Sequence, residues 1–455
     1  MSPPERAGSN ETTILITVAL ATMLAPLNST MIGIALPEIM GEFATDLGAG
    51  SWLVIAYLIS MAALQPVGGK LGDRYGRRPL IIGGLVYFGF ASLGAAFASS
   101  LSELLLFRIQ QGIAGAIALP NGMALLREVV PAERRASCIG LLGSGIVLAA
   151  AAGPPLGGLL IKLGGWRAVF SANLLLIVPA LILSIRALPS VASLKERQPF
   201  DLIGALQLLA VLSGAAFLIT NAPADVPIIG TWGATGMLIL LAAYFLRRET
   251  LHDDPIFQPR FFSNVTFAAG SAAVALSNLA MYTIFLVIPL FLAELPGWSS
   301  TQVGLVLSAL WAPTVVCAPL GGRLADRWGR RWPTTLGLLL LTIGMAGLAL
   351  IDGGEDDVWV LLSGLGVAGI GLGLSQAGLQ TAVLEAVKKE QAGSASGMFS
   401  TSRYIGSIAG TSVLPLLYGA DNGMTGFMRV LTLVVVAALA STIASLWIQH
   451  RPASD

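Results

Sequence analysis

Fourteen apolar runs follow one another along this 455-residue chain. Each is near the length that carries a helix across the hydrocarbon of a bilayer, about 20 residues. They cover 12–40, 51–69, 80–98, 101–125, 138–160, 168–185, 202–220, 229–245, 267–292, 303–320, 334–351, 358–381, 393–417 and 430–448. One soluble core cannot hold that much apolar surface: 55% of the residues are hydrophobic and 11% are charged, against about 25% charged in a soluble domain. Lipid must solvate most of the surface, where every backbone polar group needs an internal partner. The expectation is an all-α membrane protein of fourteen spans, mostly antiparallel to their neighbours.

Charge placement sets the orientation. With the N-terminus inside, all but five of the 26 Lys and Arg residues fall in cytoplasmic segments. Lys162, Arg167 and Arg429 fall outside, and Arg108 and Arg403 fall within spans. The excess of positive charge inside places both termini in the cytoplasm, with tails at 1–11 and 451–455. The first run lacks a small-residue cleavage site and reads as an uncleaved span. A net charge of +1 gives no footprint for nucleic acid. Cys138 and Cys317 sit in or beside apolar runs, and His252 and His450 lie far apart. Neither a disulfide framework nor a metal site follows, and no cofactor is expected. The sequons at Asn10, Asn28 and Asn264 fall inside the cell or in the membrane, which suits a bacterial cell membrane.

One turn occurs twice. Pro66-Val67-Gly68-Gly69-Lys70-Leu71-Gly72-Asp73-Arg74-Tyr75-Gly76-Arg77-Arg78 returns as Pro319-Leu320-Gly321-Gly322-Arg323-Leu324-Ala325-Asp326-Arg327-Trp328-Gly329-Arg330-Arg331. A repeat at this spacing means a duplicated half, not a solenoid. Glycines at 68, 69 and 72 let helix backbones approach closely, and Asp73 and Asp326 fall where a carboxylate can face a neighbouring helix N-terminus. The bland alternative is that the arginines only orient the chain.

These residues resemble the loop signature of the major facilitator superfamily, between the second and third spans of each six-helix half. The resemblance implies a cytoplasmic loop that helps hold one end of a transporter shut, through Gly69, Asp73, Arg74, Gly76, Arg77 and Arg78 and through Gly322, Asp326, Arg327, Gly329 and Arg330. The polar stretches 186–201 and 247–264 bracket only two spans. That gives a six-helix bundle (12–188), two accessory spans with linkers (189–264) and a second bundle (265–450). The plan resembles the fourteen-span drug:proton antiporter branch. Leu27-Asn28-Ser29-Thr30 through Pro37, Trp52 and Tyr57, Arg108-Ile109-Gln110-Gln111-Gly112, and Gly153-Pro154-Pro155-Leu156-Gly157-Gly158 match its span signatures in order. The last is associated with antiporters; its proline pair bends the helix.

Several residues carry candidate roles. A charged side chain at depth costs about 2.5–3.5 kcal/mol on insertion scales, so Arg108 and Arg403 should face a cavity or a partner; alternatively they lock helices through carbonyls or through Gln110 and Gln376. Gln65, Gln111, Asn121, Asn278, Tyr282, Gln376, Gln380 and Tyr404 are candidates to line a central cavity near the midplane, where such folds bind ligands. Gly364-Leu365-Gly366-Val367-Ala368-Gly369 fits a dinucleotide fingerprint, with Glu385 beyond it. No strand precedes it, so a glycine packing seam is the simpler reading.

The resemblance implies a monomeric secondary exporter of small amphipathic or drug-like molecules, working by alternating access and coupled to protons. The rivals are a nutrient or metabolite facilitator and an exporter without proton coupling. A membrane enzyme would need a catalytic constellation and an ATP-driven pump a phosphate loop, and the sequence offers neither. One residue departs from the signature: Asn28 stands where the branch usually has an aspartate. No Asp or Glu lies well inside any run, so proton coupling would need an end-of-span acid, with Glu38 the better candidate. Two arginines without an acid at matching depth imply an electropositive pathway.

Overall fold

The computed structural model describes residues 4–189, 201–221, 228–252, 255–295, 297–351, 357–388, 391–419 and 423–449. Most of the linker 186–201, His450 and the tail 451–455 lie outside them. The described residues form fourteen α-helices and two short 3-10 turns, with no strand. The first six helices are α1 (Pro4–Glu42), α2 (Leu47–Tyr75), α3 (Arg77–Ala96), α4 (Leu101–Val129), α5 (Ala132–Ser171) and α6 (Asn173–Ala187). Next come α7 (Leu202–Thr220) and α8 (Ile228–Leu251). The last six are α9 (Val265–Glu294), α10 (Ser300–Trp328), α11 (Arg331–Gly347), α12 (Asp357–Glu385), α13 (Ala392–Leu417) and α14 (Met424–Ser445).

Local chemistry sets the helix ends. Asp46 caps α2 by accepting from the Ala49 amide at 2.7 Å, and Ser299 with Gln302 forms a reciprocal capping box at the start of α10. Gly76 and Gly329 close α2 and α10 at φ of 90° and 84°, a left-handed backbone that glycine adopts without steric cost. Gly165, at φ 68°, breaks α5 near its end, so the chain turns there before α6.

Two groups of helices repeat one packing plan. In the first, α1 packs on α5 and α6, α2 on α4, and α3 on α4 and α6. In the second, α9 packs on α13 and α14, α10 on α12, and α11 on α12 and α14. The groups meet along α5–α10, α2–α13 and α1–α9, and α7 lies against both α2 and α13. Large apolar side chains such as Phe90, Phe97, Trp232, Val316 and Trp359 remain exposed on the outside, a surface that suits lipid and not water.

By length and composition, ten segments of the described residues qualify as membrane-crossing. Leu141–Ala187 counts among them as a single stretch of 47 residues, although it contains the break at Gly165. Helices α4, α8 and α13 are not among the ten. In α4, Glu103, Arg108, Gln110, Gln111, Asn121 and Arg127 dilute the apolar character, and α13 is rich in Gly and Ser with Arg403 at its middle.

Candidate functional site

The two glycine-rich turns lie at one end of the bundle, called here the loop end, and each builds an ion-pair clamp. In the first, Arg77 at the start of α3 pairs with Asp73 in the last turn of α2 and with Glu128 at the end of α4, at 3.2 Å. The same guanidinium donates to the Gly69 carbonyl at 3.1 Å and to Asn121 Oδ1 at 3.2 Å. The Asn121 amide donates in turn to the Gly68 and Ile117 carbonyls at 2.8 and 2.7 Å. In the second, Arg330 pairs with Asp326 at 2.6 Å and with both oxygens of Glu385, at the end of α12, at 2.7 and 3.2 Å. The Glu385 and Asp326 carboxylates hold this guanidinium even more firmly charged than usual.

Close backbone approach makes the clamps possible. A Cβ on Gly68 would collide with the Ala116 carbonyl, and one on Gly72 with Asn121 Oδ1. Gly321 meets the Leu374 carbonyl in the same way. Gly69 and Gly322 are not so pressed: their nearest neighbours would be Pro120 at 3.8 Å and Ala377 at 3.7 Å. Of the remaining cations, Arg78 donates to the Ile185 carbonyl at 2.6 Å, while Arg74 lies over the Tyr75 ring and Arg327 is exposed.

The second cluster sits midway along the bundle. Arg108 is wholly buried. Its Nε donates to the Leu53 carbonyl at 3.0 Å, and its Nη1 donates to Gln111 Oε1 at 2.8 Å and to Asn28 Oδ1. The guanidinium lies 4.4 Å from the Tyr57 ring centroid, a cation–π contact. Gln111 and Asn173 both donate to Ser92 Oγ, at 2.9 and 3.2 Å, which ties α4 to α3 and α6. Ser29 and Tyr282 share a hydrogen bond of 3.1 Å that joins α1 to α9. Tyr282 feels the charge of both Arg108 and Arg403, and Tyr404 lies against Gln65 of α2. Arg403, Tyr404, Tyr282, Gln65 and Gln376 are only half-buried at this depth, and Gln65 of α2 meets Tyr404 of α13 where the two groups pack together.

Other candidates fall elsewhere. Asn121 belongs to the loop-end clamp. Asn278 is buried and donates to the Val274 carbonyl of its own helix at 2.9 Å. Gln380 is exposed near the end of α12. Glu38 is exposed towards the far end of α1, opposite the loop end, close to Gly165 and within the field of Arg167; the structure does not bring it to Asn28. Gly364 and Gly369 lie inside α12 against α11 and α10, so that run is a packing seam.

The double-glycine, double-proline run of α5 forms the joint between the two groups. Gly153 and Gly157 face Thr30 and Met31 of α1, whereas Gly158 faces the Ser300 carbonyl of α10. Gly304 presses on the Pro154 carbonyl from the other side, and the Thr301 hydroxyl donates to the Gly158 carbonyl at 3.3 Å. Two pseudo-equivalent helix groups, joined at a glycine seam and clamped alike at one end, match a known family. The Major Facilitator Superfamily profile covers residues 18–411. The chain belongs to the major facilitator superfamily.

Among other members of the superfamily, it is 32% identical to the MFS-type transporter YvkA of Bacillus subtilis, across 95% of both chains. It is 28% identical to the tetracenomycin C resistance and export protein of Streptomyces glaucescens, over 90% of this chain and 76% of that protein. It is 27% identical to the multidrug transporter protein MdtP of Bacillus subtilis, over 94% and 78%. The fold is similar to an inward-open structure of the xylose transporter XylE from E. coli, with a TM-score of 0.67, 16% identity and 97% of each chain covered. The protein is a multi-pass membrane transporter of the superfamily, not an enzyme.

Within this transporter fold, sequence reasoning missed three kinds of partner. Glu128 and Glu385 complete the clamps, and the only signal was an acid in the last turn of the fourth helix of each half. Ser92 and Asn173, buried in α3 and α6, complete the Arg108 network. The third is a buried cluster at the base of the accessory helices. Asp201 caps α7 through the Gly204 amide at 2.8 Å and receives Arg248 of α8 at 2.5 and 2.7 Å. Glu249 lies beside it and accepts from the Phe257 amide at 2.8 Å. Burial alone would raise the Asp201 carboxyl, but its hydrogen bonds with Arg248 and the Gly204 amide outweigh that and bring it to about 2. Burial raises Glu249.

Proposed function

We propose that this protein is a fourteen-span secondary transporter that exports small amphipathic, drug-like compounds across the bacterial cell membrane. Its two six-helix halves (12–188 and 265–450) rock about the α5–α10 seam, and α7–α8 ride as an accessory pair between the linkers. Both termini face the cytoplasm, the protein works as a monomer, and the loop-end clamps stabilise its cytoplasmic face. The observation that carries alternating access is the seam itself: Gly158 against Ser300 and Gly304 against Pro154 leave backbone on backbone, which can pivot without unlocking interdigitated side chains. Export, as against uptake, rests on relatives named for export and multidrug transport. Proton coupling, on this reading, runs through Glu38.

A second reading, the same exporter without proton coupling, is favoured by Asn28, whose amide cannot titrate. Everted membrane vesicles decide between export and uptake: export predicts energised accumulation of an amphipathic dye, and a facilitator predicts none beyond equilibration. In liposomes, proton movement driven by substrate and abolished by Glu38→Gln supports coupling, whereas transport without proton movement supports the second reading. A cysteine at Ser263 should resist an impermeant thiol reagent added to intact cells; labelling from outside would overturn the fourteen-span topology.

A further inference from the structure

The middle of the protein holds buried donors that no acceptor meets, and two buried acceptors, Gln110 Oε1 and Asn173 Oδ1, that no donor meets. Arg108 Nη2 is fully buried without a hydrogen-bond partner, as are Asn28 Nδ2 and Arg403 Nε. The orientation of Asn28 follows from its neighbour. A guanidinium only donates, so the amide oxygen must face Arg108 and the NH2 must point away from it. Every hydrogen bond that Arg108 makes ends on a neutral group: Leu53, Asn28 and Gln111. Arg403 rests over the Phe399 ring at 5.7 Å.

No carboxylate stands at this depth in the sequence; the acids lie towards helix ends and in loops. Two guanidinium groups, one from each half, therefore act on Tyr282 with no counter-ion near them. A buried charge without a partner is costly, and an anion that completes the donors recovers part of that cost. Aromatic rings stand among these polar groups: Tyr57 faces Arg108, Phe399 faces Arg403, and Tyr282, Phe285 and Tyr404 lie near them. Tyr282 and Phe285 pack edge to face at 6.5 Å. Such rings suit a flat apolar body.

We propose that the boundary between the halves, from Asn28–Arg108 to Tyr282–Arg403, is a binding site for an amphipathic monoanion, an aromatic carboxylate or its like. The anionic head takes the free donors of Arg108, Asn28 and Arg403, and the ring system lies among the tyrosines and phenylalanines. The Ser29–Tyr282 bond, which joins the halves, sits beside the head. The proposal names the substrate class of the exporter proposed above and rests on that reading.

The test uses full-length protein in lipid nanodiscs and isothermal titration calorimetry with two probes of similar shape, 2-naphthoate and the N-methylquinolinium cation. Wild type should bind 2-naphthoate at least about tenfold more tightly than the cation, since charge-assisted hydrogen bonds are the strong ones. Arg403→Gln should weaken 2-naphthoate binding about tenfold. Asn28→Asp, which supplies the missing counter-ion and so keeps Arg108 paired and folded, should do the same and raise cation affinity. Equal or tighter cation binding by wild type, binding of neither probe, or unchanged 2-naphthoate affinity in both variants would overturn the proposal. Dye accumulation in everted vesicles reads the export activity separately. Extrusion without anion preference sinks the substrate class alone, and anion binding without extrusion sinks the export reading alone.

Discussion

The two halves are alike at the loop end and unlike in the middle. At the loop end, Asp73–Arg77–Glu128 and Asp326–Arg330–Glu385 occupy the same places on the same three helices. In the middle, the first half holds Arg108 in a tight network of Asn28, Gln111, Ser92 and Asn173, and the second half holds Arg403 loosely over a ring. Parts that serve the same motion can stay the same in both copies. On the binding proposal, the middle meets one asymmetric substrate, and there the two copies diverge. Even the clamps differ in one respect: Asn121 locks Arg77 to the α2 backbone across the space left by Gly72, where the second copy has Ala325, itself buried.

That contrast gives the largest expected effect. Gly72→Ala would drive a methyl into Asn121 and break its bonds to Arg77 and Gly68. Overpacking of this kind costs about 1–3 kcal/mol, and transport should fall about tenfold or more. Removing the obstacle with Asn121→Ala in the same chain should restore part of the activity, and the reverse change in the other half, Ala325→Gly, should cost little. Equal losses for Gly72→Ala and Ala325→Gly in a vesicle transport assay would erase the distinction.

The clamps were half legible in the sequence. Each turn announced itself because its pattern recurs in register, but the third member of each triad lies a whole helix further on, and only folding brings it back. The centre was less legible. Helix α4 is buried on several sides, so its sequence does not say which of Gln110, Gln111 and Asn121 turns inward, and depth alone sent Asn121 to the wrong cluster. Asn28 and Arg108 each stood out, one as a departure and one as a buried charge, but their pairing needed the α1–α4 contact. The fold was the easiest part, since apolar run length sets the helices, and a proline pair and glycines mark the seam.

A smaller effect separates the two aspartates. The Asp73 side chain is 40% exposed and that of Asp326 75%, so water screens the second pair more. At equal membrane abundance, Asp73→Asn should lower transport severalfold, and Asp326→Asn should change it by less than about twofold. Wild-type turnover in Asp73→Asn would refute the gating role, and equal losses would remove the ranking.

The smallest effect concerns the accessory pair, which neither half repeats. Asp201, lowered from 3.8 to about 2, contributes stability that is complete above about pH 4 and lost as pH falls through its folded value. Glu249, raised above 4.5 by burial, contributes stability below that value that is lost as pH rises through its folded value. Thermal unfolding against pH should therefore decline on both sides. Glu249→Gln should flatten the upper decline, leave the acid decline and shift Tm by only a few degrees, without altering the Asp73→Asn phenotype. An unchanged upper slope would place the titrating group elsewhere.

The central claim is that the halves rock about the α5–α10 seam. Pulsed electron–electron resonance in nanodiscs tests it with two spin-label pairs on exposed residues: Tyr75 with Trp328 at the loop end, and Leu163 with Leu350 at the far end. Measured with and without 2-naphthoate and at pH 5.5 and 8, each pair should show two distances. Conditions that shorten the loop-end distance should lengthen the far-end one. A single unchanging distance for both pairs, or distances that shorten and lengthen together, would contradict it.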